Sequence, residues 1–133
     1  MKKQCFLFIL LFLGIIYDNA IFSQNKEFVS LVNAIFDEKE AMVILAWEPV
    51  DNPQASYKVY RVSEPFKGSR FIPMQAEMIK VLDYQSRQTS DIPPRSGKYY
   101  YFISTVSGND ENLTLIADQN YTVEPVEFFK PAP

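Results

Sequence analysis

The chain contains no histidine, and its one cysteine, Cys5, stands near the N-terminus. Catalysis of the Ser–His–Asp or Cys–His kind needs a base that titrates near neutral pH, and the chain beyond Cys5 supplies neither partner. Zinc sites lose their usual imidazole and thiolate ligands for the same reason. Only 4 glycines occur, and none builds a phosphate-cradling loop or a dinucleotide fingerprint. Basic clusters are missing as well. The formal charge is −3, and without a run of Lys and Arg the chain is a poor match for nucleic acid or anionic lipid. These absences point away from an enzyme and give no reason to expect a cofactor or a bound metal.

Long hydrophobic runs are also scarce. The longest, from Phe6 to Ile16, follows Lys2 and Lys3 and precedes a small-residue region from Ala20 to Ser23. It is too short to cross a bilayer comfortably and has the length of a signal-peptide core. We therefore expect residues 1–23 to be a signal peptide cleaved after Ser23, with cleavage after Ala20 or an uncleaved anchor as alternatives. The product is then exported to the periplasm, the cell surface or the medium, with no stable membrane span after cleavage. Cys5 precedes the apolar core, whereas a lipoprotein cysteine would follow it. The remaining chain has no cysteine, so packing and strand pairing alone must hold it.

What is present is β-rich. The chain is 47% hydrophobic and 15% aromatic, with 9 prolines punctuating it. In 42–47 the residues Val43, Leu45 and Trp47 share one face at period two, until Pro49 and the turn-forming 50–54 stop the strand. A second strand, 56–63, sets Tyr57, Val59 and Arg61 against Lys58, Tyr60 and Val62. A third, 98–106, sets Tyr99, Tyr101, Ile103 and Thr105 against Tyr100, Phe102, Ser104 and Val106. The stretch 107–111 reads as a turn and 121–127 as a last strand. Two stretches, 27–36 and 74–84, are ambiguous between strand and helical turn, Pro73 being a plausible first helical residue. No internal repeat or linker divides 24–130, which we expect to form one β-sandwich ahead of a frayed tail, 131–133.

In this order and spacing the motifs resemble the fibronectin type III family, within the immunoglobulin-like sandwiches. Leu45-Ala-Trp47-Glu-Pro49 is similar to its strand B, Tyr57-Lys-Val59 to strand C, and Gly97-Lys-Tyr99-Tyr-Tyr101-Phe-Ile103 to strand F. The resemblance implies an all-β antiparallel Greek-key sandwich of about seven strands, with Phe28–Phe36 as strand A and 76–82 as strand E. It implies a structural core of Val43, Leu45, Trp47, Tyr57, Val59, Tyr99, Tyr101 and Ile103, and a corner role for Tyr99. It also implies a role in adhesion, recognition or spacing. No Arg-Gly-Asp tripeptide is present.

Strands C and F are neighbours in that fold, so their outward residues Tyr60, Val62, Tyr100, Phe102 and Val106 form an aromatic face where polar residues are usual. Contiguous exposed apolar patches mark interaction sites, although cross-strand aromatic pairs also stabilise sheets. The middle stretch or Phe128-Phe129 would hide that face if either folded over it. The loops 49–55 and 107–111 offer a second surface. Their Asp51-Asn52 and Asn109-Asp110-Glu111 lack calcium-loop spacing and read first as turn formers. Asn112-Leu-Thr114 and Asn120-Tyr-Thr122 match the glycosylation sequon. The expected function is a non-catalytic extracytoplasmic binding module for a protein partner. An assembly subunit of an envelope complex and a small carbohydrate-binding domain are the alternatives.

Overall fold

The computed structural model describes residues 28–68 and 71–132, and the expected signal segment, with Cys5, lies outside them. In chain order the elements are β1 (Ser30–Asp37), β2 (Met42–Glu48), β3 (Ala55–Val62), α1 (Phe71–Gln75), β4 (Glu77–Asp83), β5 (Gln88–Asp91), β6 (Gly97–Ser107), β7 (Asp110–Asn112) and β8 (Val126–Phe128). All pairings between strands are antiparallel. One sheet has the order β1-β2-β5, the other β4-β3-β6-β7, with β8 pairing the start of β6. This is an all-β, two-sheet sandwich. Of the ambiguous 27–36 stretch, residues 30–36 fall in strand β1, and 74–84 holds both the end of a short helix and a strand.

Three details of the sequence reading need correction. The strand beside β2 is Gln88–Asp91, whereas 77–83 pairs with β3 and belongs to the opposite sheet. The stretch 107–111 is only partly turn. Gly108, at φ +60°, opens a two-residue hairpin loop, and pairing resumes at once with Ser107 opposite Asp110. A positive φ at the first central residue suits glycine, which has no Cβ to clash. The last strand is Val126–Phe128 alone, since Tyr121 forms only isolated bridges, to Phe102 and Ala117. The flank of β6 opposite β3 is thus occupied in pieces: β7, then residues 120–122, then β8. Between the pieces the chain leaves the sheet over 113–119.

The main core lies between the sheets, because period-two alternation turns one side of every central strand inward. Val43, Leu45, Trp47, Tyr57, Val59, Tyr99, Tyr101 and Ile103 are all buried in it, with Val29, Val32, Val50, Val126 and Phe128. Trp47 packs edge-on against Tyr57 at 5.9 Å between ring centroids. Its Nε1 has no hydrogen-bond partner among the described residues. At the opening of β6, the Tyr99 hydroxyl donates to the Arg95 carbonyl at 2.7 Å, fixing the corner into that strand.

Candidate functional site: a polar cleft at the loop end of the sandwich

The aromatic outer face of β3 and β6 is not open. Tyr60 and Phe102 are 8% and 0% exposed, Val62 is buried, and Tyr100 and Val106 are half-buried. The parity expected from the sequence places Tyr60 and Phe102 on the outer face, but the chain folds back over them. Ile72 of α1 completes a second small core with Tyr60 and Phe102, and Phe66, Ala76, Leu113, Leu115 and Tyr121 pack around it. Phe66 lies 6.0 Å from Phe102 and 5.8 Å from Tyr121 between centroids. Burial removes this apolar surface from water, which supplies the driving force for the cover. The covering residues come from the middle stretch and from the 113–121 excursion; Phe128 lies in the main core instead.

Asn120 holds that excursion in place. It is 1% exposed, its Oδ1 accepts from Ile116 N at 2.8 Å, and its Nδ2 donates to the Thr114 carbonyl at 2.7 Å. Its backbone carbonyl accepts from Ile103 N. The sequon at Asn120 is therefore spent inside the fold, with its amide buried.

A buried ionic network ties the two sheets together. Arg61, inward on β3, donates from one guanidinium nitrogen to both oxygens of Asp91 on β5, at 2.8 and 2.9 Å. Its other terminal nitrogen meets Glu77, and Asp91 also accepts from the Tyr101 hydroxyl at 2.7 Å. Burial works against the Arg61 charge, yet Asp91 and then Glu77 outweigh it and leave the guanidinium more basic than usual. The Tyr101 phenol is held far above its ordinary range, first by burial and then by the bond to Asp91.

At one end of the sandwich the β2–β3 and β6–β7 loops meet. Ala55 pairs with Ser107, so the last residues of one loop lie beside the first of the other. Asn52 Nδ2 donates to Ser107 Oγ at 3.2 Å and joins them. The β2–β3 loop is ordered from within: Asn52 Oδ1 accepts from Gln54 N, and Asn52 O accepts from Ala55 N. From below, the Tyr57 hydroxyl accepts from Val50 N at 2.9 Å and donates to the Tyr84 carbonyl at 3.0 Å. Between the loops opens a cleft of about 650 Å³, lined by Phe28, Val50, Asp51, Asn52, Thr105, Ser107, Asp110, Glu111, Asn112 and Thr114.

The wall of this cleft is oxygen-rich and, among the described residues, carries no Lys or Arg. Glu111 is engaged elsewhere, accepting from Tyr60 and Ser104 hydroxyls at 2.5 and 2.6 Å and pairing with Lys58 at 3.5 Å. Burial first, and then Glu111, pushes the Tyr60 phenol well above its usual range. Asp51 from the β2–β3 loop and Asp110 from the start of β7 border the same space. No group of three or more His, Cys, Asp or Glu among the described residues is arranged to hold a metal ion. Sequence reasoning named both loops but missed Thr105 and Phe28 as wall residues. The parity of Thr105 with Tyr101 and Ile103, at the end of the core strand, was the available signal.

No family model matches the chain, and no curated protein matches it. Among solved structures, it is similar to an Fn3-like protein from Clostridium thermocellum, with a TM-score of 0.53 and 22% identity over 80% of this chain and 94% of that one. It also matches part of the pectate lyase Pel3 from Pectobacterium carotovorum, with a TM-score of 0.45 and 21% identity, over 75% of this chain and 26% of that chain. The first likeness extends to the fold, which is Fn3-like.

Proposed function

We propose that the protein is an exported, non-catalytic binding module that engages a protein partner through the loop end of its sandwich. The observation that carries this reading is the joining of the β2–β3 and β6–β7 loops into one cleft by Asn52 and Ser107. Tyr57 and the Asn52 turn hold the loops before any ligand arrives. Such preorganisation leaves less conformational entropy to lose on association. The outer face of β3 and β6, whose apolar side chains are covered by the chain itself, is the weaker candidate surface. The character of residues 1–23 supports export, and the lack of histidine, which removes the commonest neutral-pH base, supports a non-catalytic role.

The test is site-specific photocrosslinking in the native host. A photoreactive residue at Asn109, exposed at the hairpin tip, is compared with one at Gln88, exposed on β5. The expected result is a discrete protein adduct from position 109 and none from 88. Adducts from 88 alone, or equal diffuse labelling from both, would overturn the loop-end assignment.

A further inference from the structure

No run of Lys and Arg occurs in the sequence, yet folding gathers three cations around one cavity. It lies at the end of the sandwich opposite the loop-end cleft, roughly 30 Å away along the 11 residues of β6. The cavity has a volume of about 550 Å³ and is bordered by Arg61, Arg95 and Lys98 against a single carboxylate, Glu77. This stands out in a chain whose formal charge is −3. Arg61 is the deep member. Its Nη1 and Nη2 are engaged by Asp91 and Glu77, while its Nε makes no hydrogen bond among the described residues. Arg95 and Lys98 are exposed, and neither side chain closes a hydrogen bond or ion pair among the described residues; Glu127 stands opposite Lys98 on β8 without pairing with its charge. The loop that carries Arg95 is fixed at several points. Pro93 is fully buried, the Tyr99 hydroxyl donates to the Arg95 carbonyl, and Lys130 donates from its backbone N to Ser96 Oγ at 2.7 Å and from Nζ to the Pro94 carbonyl at 3.2 Å. A backbone placed in advance has little freedom left to lose when an anion arrives.

We propose that this cavity receives an acidic side chain of a polypeptide, Glu or Asp, as a second contact site independent of the loop-end cleft. A carboxylate presents two oxygens, which the Arg95 fork can take side by side. Lys98 and the Nε edge of Arg61 add positive potential around them. Val62 and Pro94 line part of the wall and suit the methylenes of an incoming side chain, in a space larger than a bare inorganic anion fills. The one aromatic ring in the wall, Tyr99, has the Arg61 guanidinium over its face, 5.8 Å from the centroid. No open ring is thus left in the wall for a sugar or a base to stack on. Glu77, itself 69% exposed, competes with the ligand for Arg61 and repels its charge.

The experiment is an amide NMR titration of the protein with the capped peptide Gly-Asp-Glu-Asp-Gly and with its uncharged counterpart Gly-Asn-Gln-Asn-Gly. The acidic peptide is expected to shift the amides of Ser63, Ser96 and Lys98 and to leave that of Asp110 unmoved, and added salt should weaken it. Arg95→Gln combined with Lys98→Gln should weaken it roughly tenfold, at an unchanged melting temperature because both side chains are exposed. Glu77→Gln, which removes the competing carboxylate, should tighten it several-fold. Equal shifts from the uncharged peptide would overturn the proposal, as would unchanged affinity in the double variant or weaker binding in Glu77→Gln. So would shifts of these amides by trigalacturonate or sodium phosphate but not by the acidic peptide, which would assign the cavity to an acidic sugar or a bare anion. If the double variant fails to fold, the Glu77→Gln comparison still decides.

Discussion

Replacing Asp91 by alanine tests how the two sheets are held together. Asp91 is 8% exposed and takes three hydrogen bonds: two from Arg61 and one from Tyr101. Without it, Arg61 remains inside the sandwich at 9% exposure, with only Glu77, itself 69% exposed, to balance its charge. The Tyr101 hydroxyl is orphaned as well. Removing one side of a buried ion pair typically destabilises by about 3–5 kcal/mol, a large part of the roughly 5–15 kcal/mol that holds a domain of this size. The melting temperature should fall by roughly 15–25 °C. Urea titration followed by the fluorescence of Trp47, the chain's one tryptophan, reads the change directly. The same reasoning expects the triple variant Arg61→Met, Asp91→Leu, Tyr101→Phe to recover to within about 1 kcal/mol of the parent, since a packed apolar set needs no desolvated charge. A loss under about 1 kcal/mol for Asp91→Ala, the scale of a surface pair, would refute the argument. So would a triple variant as unstable as the single.

Three further outcomes follow from the geometry. Tyr57→Phe removes the acceptor for Val50 N and the donor to Tyr84, so stability should fall by about 1–3 kcal/mol, and hydrogen exchange at Val50 should accelerate; unchanged exchange there would remove Tyr57 as the loop's anchor. The Tyr57, Tyr60 and Tyr101 phenols are all raised above the ordinary value of 10.0, chiefly by burial. A folded-state value above the unfolded one means their stabilisation is complete below about pH 10 and is lost as pH rises further; phenolate absorbance should show these three ionising only with unfolding, and early, independent titration would contradict that. Asn120→Ala leaves Ile116 N and the Thr114 carbonyl without their side-chain partners, so the cover over Phe102 should loosen; increased binding of a hydrophobic dye at little change in β-sheet circular dichroism is the expected signature, and an unchanged dye signal would count against it.

Alternation made β2, β3 and β6 legible, since Val43, Leu45 and Trp47, or Tyr99, Tyr101 and Ile103, must share a side in any strand. The same alternation could not reveal β5. Gln88-Thr-Ser-Asp91 is polar and short, and it is a strand because it pairs with β2. Parity also placed Tyr60 and Phe102 on the outer face but carries no information about what lies above it. That is decided by Ile72, Leu113 and Leu115, distant in sequence, although the apolar pair flanking Thr114 after a turn was a visible hint. For the cleft, the Asx turns at Asn52 and Asn112 follow from local chemistry. Their convergence depends on the register that sets Ala55 opposite Ser107, which no single segment specifies.

The broken lane along β6 bears on behaviour at high concentration. A long final strand would expose an uninterrupted row of backbone donors and acceptors, a template for a strand from another molecule. Here that border is cut into the two three-residue strands β7 and β8, with the chain lifting away over 113–119. The opposite border of the same sheet, β4, carries Lys80 turned inward to Thr89 Oγ1, a charge that an added strand would have to desolvate. No cysteine lies among the described residues to staple the sandwich, and on both borders of its larger sheet an added strand would meet either an interrupted lane or an inward-turned charge.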